Sequence, residues 1–372
     1  MSNKRDGFFG RRDGHLIRNA DSMHVIMPLM YPNRCDNEAY VSEIIDLTRV
    51  DEYLKQRNAG DPKFKYTLFH VIVAAMLKVI ILRPKLNRFI CNKNLYMREH
   101  YSASFTIKRE FSDDAGEGLA FLYADPDDTF ETLHRELYKQ ISNSKEGGSD
   151  TSSDALDMFN KMPRLILKTV MAFMRFLDRH GWIPESIVGT DPYYASVILS
   201  NLGSIKLKSG YHHLNNWGTT SLFVIVGEMK KRPFYNDDGS YTMRNSVELG
   251  LTIDERLADG YYYSKSIRLL KYILTHPECL DEPLGSLLLR PLALPLGQER
   301  ACHRAWRDGK GRCRVWSAGG VPRVCRAFRH GDLQREDPRD LPLAPRRPAH
   351  LRRDKLEPQE PFHAPPPVHG LP

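Results

Sequence analysis

The sequence lacks the features of secreted and membrane-spanning proteins. Its six cysteines form no C-x-x-C pair or dense framework, and the first five residues, Met-Ser-Asn-Lys-Arg, are polar. The longest apolar segments, 68–82 and 165–177, contain Lys or Arg and fall short of the roughly 20 apolar residues that cross a bilayer. We therefore expect a soluble cytoplasmic protein with reduced thiols and no disulfide framework.

An excess of positive charge is also missing from most of the chain. Residues 1–285 hold 37 Lys and Arg against 37 acidic residues, whereas residues 286–372 hold 17 against 9, so 17 − 9 gives the whole net charge of +8. A neutral body gives no reason to expect a nucleic-acid partner. The spacings of Cys302, His303, Cys313 and Cys325 match no zinc template, so no metal is expected either.

Residues 286–372 lack five residue types that the rest of the chain uses freely, namely Ile, Asn, Tyr, Met and Thr. Arg outnumbers Lys there by 15 to 2, and Pro takes 13 of the 87 positions. GC-rich codons read out of frame give such a composition, so we predict a frameshifted, disordered tail. The alternative is a basic arm that binds phosphates through pairs such as Arg346-Arg347 and Arg352-Arg353.

Hydrophobic periodicity predicts strands interleaved with helices in the remainder of the chain, which divides into an arm (1–23) and a larger domain (24–285). Strands are predicted at 39–48, 88–91, 95–98, 102–109, 119–123, 195–199, 221–233 and 241–253, and helices at 49–57, 67–82, 130–141, 164–179 and 264–274. Residues 145–154 are predicted to form a flexible loop. The order lacks a regular βαβ rhythm and favours a mixed sheet with helices on its face.

Two of the predicted helices are strongly apolar. Residues 67–82 are apolar nearly all round and are predicted to be buried against the sheet, with His70 as a packed core histidine. Residues 164–179 are also apolar, and without a dense basic face they favour a core or subunit contact over a membrane surface. No membrane partner is therefore expected.

Residues 254–260 read Asp-Glu-Arg-Leu-Ala-Asp-Gly and follow an apolar strand. This segment resembles the D-H-R-x-x-D-G signature of the 2-oxoacid dehydrogenase acyltransferases and the related chloramphenicol acetyltransferase. Three upstream segments resemble the same family in the same order, over roughly residues 20–285. They are Pro28-Leu-Met-Tyr-Pro at the opening of a strand, Thr67-Leu-Phe-His with Arg83-Pro-Lys-Leu-Asn, and Ser200-Asn-Leu-Gly.

The resemblance implies an α/β fold, the chloramphenicol acetyltransferase-like two-layer sandwich, in which helices pack on a mixed sheet. It also implies a homotrimer with active sites between subunits, and coenzyme A or acyl-CoA as substrate. No lipoyl domain or subunit-binding domain precedes the matching region, so the chain resembles a stand-alone catalytic domain without a lipoyl group.

The resemblance also implies roles for individual residues. Ser200 corresponds to the oxyanion donor, with Asn201 and Gly203 beside it at the cofactor. Asp259 corresponds to a structural carboxylate that the family pairs with an N-terminal arginine. Gly260 permits the turn into the following helix. The candidates for the arginine are Arg18 and then Arg11 or Arg12, and without the other matches Ser200-Asn201 would be interpreted as a turn at a strand end.

The motif departs from the family at Glu255, where the family has its catalytic histidine. A free carboxyl group titrates near about 4.3, imidazole near about 6.5 and a thiol near about 8.5, so an ordinary glutamate is a poor base for a thiol. Burial of a catalytic glutamate raises its pKa, whereas a neighbouring cation such as Arg256 lowers it.

A relocated base is the second possibility. His212 and His213 follow Ser200 in a loop region, and because neighbouring side chains of a strand point to opposite faces, at most one of them is expected to face a site. The alternative is a pair of surface or interface histidines. We expect a CoA-dependent acyltransferase acting on an unidentified small-molecule thiol, amine or hydroxyl acceptor, with a catalytically impaired trimeric binding or assembly protein as the alternative.

Overall fold

The structure is a computed structural model that describes residues 10–108, 117–145, 162–189 and 191–286, together with three short strands further on. The chain divides into two compact units, Met1–Ala293 and Leu294–Pro372. The predicted loop at 145–154 lies outside the described residues, apart from its first residue, which ends a helix. No helix among the described residues is long and apolar enough to cross a membrane.

The first unit alternates strands and helices, as the periodicity predicts. Its strands are β1 (Gly14–Leu16), β2 (Glu38–Asp46), β3 (Arg88–Cys91), β4 (Asn94–Arg98), β5 (Tyr101–Lys108), β6 (Glu117–Ala124), β7 (Val197–Asn201), β8 (Leu222–Val226), β9 (Lys230–Tyr235) and β10 (Tyr241–Asp254). Its helices are α1 (Ser22–Met30), α2 (Thr48–Arg57), α3 (Leu68–Leu82), α4 (Phe130–Lys145), α5 (Arg164–Arg179), α6 (Glu185–Val188) and α7 (Gly260–Thr275).

A mixed sheet forms one layer of the fold. Its strand order is β2-β10-β8-β7-β5-β6, and β9 pairs with β10 beyond that path. The pairs β5–β7 and β7–β8 are parallel, whereas β2–β10, β8–β10 and β5–β6 are antiparallel. β1, β4 and β3 make a separate antiparallel sheet. The predicted mixed α/β architecture is confirmed.

Helices form the second layer, and the largest hydrophobic cluster of the described residues lies between them and the sheet. Apolar residues of α2, α3, α4 and α7 join those of the sheet strands in this core. Every residue of α3 from His70 to Ile80 is buried, which explains why its sequence is apolar nearly all round. The predicted core helix is confirmed.

His70 both caps and fills the start of α3. Its Nδ1 accepts a hydrogen bond from the Thr67 backbone at 3.3 Å, and the Thr67 hydroxyl accepts from the His70 backbone at 3.4 Å, which completes a capping box. The ring also packs against Phe64 and His134. His70 is therefore the packed core histidine that the sequence predicts.

One expectation about helices and strands is wrong. Pro28 does not open a strand, because it lies inside α1, whose first turn is capped by the Asp21 carboxylate accepting from the His24 backbone at 3.2 Å. Helix α5 forms at 164–179 as predicted. It contributes no residue to the core, so of the two contacts expected for it the subunit contact stays a prediction. Its outward-facing apolar side chains are exposed in the single chain; they are Leu165, Ile166, Phe173 and Phe176.

Three short strands lie within the predicted disordered tail. They are β11 (Ala305–Arg307), β12 (Cys313–Trp316) and β13 (Pro322–Cys325), and they pair antiparallel in that order. Each contains Trp or Val, residue types that favour strands. The prediction of disorder was based on the composition of the tail as a whole, so it did not identify these segments.

Replacing His70 with glutamine is expected to reduce the loss of stability in acid. Burial, followed by the charge of His134, lowers the pKa of His70 to about 3, whereas the unfolded value is about 6.5. The unfolded chain therefore binds the proton first. The contribution of this histidine is complete above pH 6.5 and is lost as pH falls, with a limiting slope of about 1.4 kcal/mol per pH unit.

Urea unfolding of the wild type and the His70→Gln variant between pH 7 and pH 4.5 would measure the difference, because glutamine keeps an acceptor for the capping box. The variant should show the shallower dependence of unfolding free energy on pH. His213→Gln, at an exposed position, is the matched control and should keep the wild-type slope. Equal slopes for the wild type and the His70→Gln variant would contradict this account.

Candidate functional site

The turn that ends β10 is built around the buried carboxylate of Asp254. This carboxylate accepts from Arg256 Nε at 2.8 Å and from Arg256 Nη2 at 2.6 Å. The Arg256 backbone N–H also donates to it at 3.2 Å, and both side chains are almost wholly buried. A paired, desolvated charge of this kind fixes the direction of the turn, since removing either partner leaves a buried charge uncompensated.

Neighbouring segments are tied to the same turn. Arg256 Nη1 donates to the Tyr31 carbonyl at 2.8 Å after helix α1, and the Tyr263 hydroxyl of α7 donates to the Asp254 carbonyl at 2.6 Å. The Glu255 backbone N–H donates to the Asn37 carbonyl at 3.0 Å. The start of β2, the end of α1 and the start of α7 therefore meet at this turn.

Glu255 is exposed between the buried residues Asp254 and Arg256. The sequence suggested that Arg256 would act on Glu255, but the Arg256 side-chain donors are committed to Asp254 and Tyr31. No ion pair or side-chain hydrogen bond of Glu255 occurs among the described residues. The turn therefore presents the Glu255 carboxylate to solvent, outside the buried pair.

A cavity of about 670 Å³ opens beside Glu255. Its wall includes two of the three motif carboxylates, one residue of α1 and a polar and basic part of α7. A volume of this size is typical of small-molecule sites. The lining residues that matter here are Met27, Glu255, Asp259, Ser264, Arg268 and Lys271.

Asp259 caps helix α7, since its carboxylate accepts from the Tyr262 backbone at 2.8 Å. Gly260 is the first residue of this helix. No arginine pairs with Asp259 among the described residues. Of the predicted arginines, Arg18 and Arg12 are exposed, and Arg11 is buried in ion pairs with Asp13 at 2.7 Å and Asp178 at 3.1 Å.

An N-terminal arginine does approach the motif, but it is Arg34, which the sequence analysis missed. Its Nε lies 3.8 Å from the Asp254 carboxylate. Its Nη2 donates to the carbonyls of Ile90 and Gly218, each at 3.1 Å. The predicted pairing of an arginine with a motif carboxylate thus involves Asp254 instead of Asp259. The feature of the sequence that could have identified Arg34 is its position just before β2.

Ser200 and Asn201 lie at the end of β7, in the centre of the sheet. Within this strand Val197 and Leu199 point into the core, so Ile198 and Ser200 point to the opposite face. Ser200 is half-buried there. The Asn201 carbonyl accepts from the Ser204 hydroxyl at 2.7 Å, inside the turn that follows.

Gly203 has a packing role in the single chain. A Cβ at this position would lie 2.6 Å from the Gly227 carbonyl oxygen, so only glycine permits this approach of the turn to the end of β8. Its predicted contact with a cofactor stays a prediction.

His212 and His213 lie on the same sheet face as Ser200. The His212 ring stacks on Phe223 with ring centroids 4.4 Å apart, and the two histidine rings stack on each other at 4.5 Å. The expectation that they point to opposite faces is wrong, because this segment is a loop and not a strand. Phe223 pairs with Ile198, two residues before Ser200, so His212 covers the neighbourhood of Ser200.

Glu255 and Ser200 are far apart in one chain. Ser200 is level with Ile225, which pairs with Gly250. Glu255 follows Gly250 by five residues, so it lies roughly 16 Å further along the sheet and about 10 Å across it. A base and an oxyanion donor that serve one reacting group lie about 6 Å apart, so these two residues cannot share a site within one chain.

The side chains near the motif include no metal-binding cluster. Within the described ranges, no group of three or more His, Cys, Asp or Glu side chains could hold a metal ion. Cys302, Cys313 and Cys325 fall outside the residues whose side chains are described.

Residues 191–280 match the family described as "2-oxoacid dehydrogenases acyltransferase (catalytic domain)". This segment runs from the approach to β7 to the end of α7, and it contains Ser200, both histidines and the whole 254–260 motif. The resemblance predicted from the sequence is thus confirmed over this segment. No curated protein matches the chain.

Solved structures with a similar course of the chain include the following three. A probable dihydrolipoamide acetyltransferase from Listeria monocytogenes is 16% identical over 70% of this chain and 91% of its own, with a TM-score of 0.45. A truncated catalytic core of the 2-oxoacid dehydrogenase complex from Thermoplasma acidophilum is 16% identical over 71% and 99%, with a TM-score of 0.43. A chloramphenicol acetyltransferase is 13% identical over 70% and 99%, with a TM-score of 0.42.

Replacing Arg256 with methionine is expected to lower the unfolding free energy by about 3 kcal/mol, because Asp254 is then left buried without its principal partner. The matched control is Arg232→Met, which breaks a partly exposed pair with Glu248 of 2.9 Å and should cost no more than about 1 kcal/mol. Guanidinium unfolding of both variants measures the difference. Equal, small losses would show that the buried pair does not hold the turn.

Proposed function

We propose that the protein is a CoA-dependent acyltransferase that works as a homotrimer and transfers an acyl group from CoA to a small-molecule thiol, amine or hydroxyl. The observation that carries this proposal is the exposed Glu255 on a rigidly held turn at the mouth of the 670 Å³ cavity. The family match over residues 191–280, which include this turn and Ser200, supports it.

The reaction needs a base for the acceptor and a hydrogen-bond donor for the oxyanion. The acceptor heteroatom attacks the thioester carbonyl carbon while its proton passes to the base. The Ser200 hydroxyl donates to the resulting oxyanion. The intermediate then expels the CoA sulfur, which takes up the proton, so one thioester is exchanged for one new acyl bond.

The distance between Glu255 and Ser200 within one chain supports an oligomeric site. If Glu255 is the base, the Ser200 that completes its site belongs to a second copy. Cyclic assemblies bring two different patches of one chain together in this way. In a cyclic dimer the contact is twofold, so a trimer is the smallest ring whose subunits meet head to tail. A trimer is also the state that the family resemblance implies.

Exposed apolar surface beside the cavity supports contact between copies. Helix α1 exposes a continuous apolar group next to Met27, which lines the cavity. Apolar patches of this kind mark interaction surfaces. Its members are Met23, Val25, Ile26, Leu29 and Met30, each about half or more exposed.

His212 is the second candidate for the base, and it makes a different geometric demand. Because it lies on the Ser200 face of its own chain, it would need no residue from a partner to complete the pair. Mutation therefore distinguishes Glu255 from His212 as the base. Replacing the true base removes turnover, whereas replacing the other residue does not.

Purified protein mixed with acetyl-CoA and a panel of thiols, amines and alcohols should release free CoA, measured with a thiol reagent. Ser200→Ala is expected to lower kcat by about a hundredfold, as for loss of an oxyanion donor. Glu255→Gln should lower it by about a hundredfold or more, as for loss of a general base, while His212→Gln leaves it within about threefold.

The reverse pattern, with loss in His212→Gln and not in Glu255→Gln, would move the base to His212. Binding of acetyl-CoA in calorimetry without CoA release by the wild type, over the whole panel, would contradict the proposal. That result would instead describe a non-catalytic binding or assembly protein with the acyltransferase fold.

A further inference from the structure

We propose that the first unit contains a second binding site, a cationic cavity that binds a phosphorylated small molecule. The cavity measures about 660 Å³. Its wall is formed by the turn between β3 and β4, the last turns of α5, residues 32–34, residues 216–218 and Arg256 of the motif. It shares no lining residue with the cavity beside Glu255.

Positive charge dominates this wall. Five cationic side chains face one carboxylate, that of Asp178. Burial raises the pKa of the Cys91 thiol in the same wall to about 11, so this group adds no negative charge at neutral pH. The five cations are Arg34, Lys93, Arg175, Arg179 and Arg256.

The single carboxylate of the wall is already paired. Asp178 accepts from Arg11 Nη2 at 3.1 Å, and Arg11 lies outside the cavity wall. The partial negative charge at the end of α5 is about half a unit and does not offset the remaining cations. Asp254 compensates Arg256 from behind the wall, so four of the five cations lack an anion of their own.

Arg34 shows the lack of a partner most directly. It is 4% exposed, and its Nε has no hydrogen-bond acceptor among the described residues. The nearest carboxylate, Asp254 at 3.8 Å, already accepts three hydrogen bonds from Arg256. Burial lowers the pKa of Arg34, and although Asp254 opposes this shift, the charge of Arg256 lowers the pKa further. A buried donor without a partner costs free energy unless a ligand satisfies it.

The outer cations are free to turn toward a ligand. Arg175 and Arg179 lie one helical turn apart on the same side of α5, and both are exposed. Lys93 is exposed at the β3–β4 turn. None of the three makes an ion pair or side-chain hydrogen bond within the part of the chain that the structure describes.

Phosphate is the chemistry that fits this arrangement best. Guanidinium groups bind phosphate oxygens through paired, charge-assisted hydrogen bonds, and several cations converging on one cavity favour a ligand with more than one negative charge. Trp217 adds an aromatic wall, held by the hydrogen bond from its Nε1 to Asp191 at 2.7 Å. The volume suits a small molecule.

Calorimetric titration of the full chain with inorganic pyrophosphate tests the site. The wild type should bind, and the Arg175→Gln/Arg179→Gln double variant should bind about tenfold or more weakly, since each arginine supplies charge-assisted hydrogen bonds. Both positions are exposed, so the variant should fold. Arg232→Gln/Arg244→Gln removes the same charge from β9 and β10 and should keep the wild-type affinity.

Equal affinity of the wild type and the Arg175/Arg179 variant would overturn the proposal, as would an equal loss in the control variant. Complete displacement of pyrophosphate by coenzyme A would also overturn it, because the cavity would then be part of the CoA site. Pyrophosphate binding needs no turnover, so a failure here is distinct from a failure of acyl transfer.

Discussion

The buried pair of Asp254 and Arg256 is the interaction on which the rest of the site depends. It lies at the end of β10, the strand that pairs with β2, β8 and β9. Its bidentate geometry directs the turn so that Glu255 is exposed while Arg256 is buried. The turn that it directs contributes to two cavities: Glu255 lines one and Arg256 lines the other.

Strand register fixes the distance between Ser200 and Glu255, which is the second constraint on the site. Ser200 and the loop with His212 lie over the middle of the sheet, whereas Glu255 lies beyond its end. A packed sheet has no freedom to bring these positions together, since a slip by one residue would turn every core side chain to the other face. Chemistry that uses both Ser200 and Glu255 therefore requires a second copy of the chain.

The sequence predicted the sheet, the core helix α3 and the segment of the motif because each has a local signal. Period-two alternation marks the strands, and the apolar run of α3 matches its burial from His70 to Ile80. Helix α1 was missed because Pro28 favours an extended chain in isolation, while the Asp21 cap and the contact with the motif turn stabilise the helix. The stacking of His212 on Phe223 depends on where a loop crosses the sheet, which no local pattern specifies.

The cationic cavity could not be predicted for the same reason. Its five cations come from four separate parts of the chain, so no motif or run of charge in the sequence predicts the cavity. The neutral overall balance of residues 1–285 conceals a local excess that appears only when the fold brings these parts together. The net charge of a domain helps to decide whether it binds a large charged partner such as a nucleic acid, but it does not reveal a small local binding site.

The central claim is that an acyl-transfer site forms between two copies of the chain, with Glu255 from one and Ser200 from the other. Co-refolding equal amounts of the Ser200→Ala and Glu255→Gln variants tests it most directly. In a cyclic assembly with random mixing, one interface in four pairs an intact Glu255 with an intact Ser200, so about a quarter of the wild-type CoA release should return. A mixture no more active than either variant alone would contradict the claim.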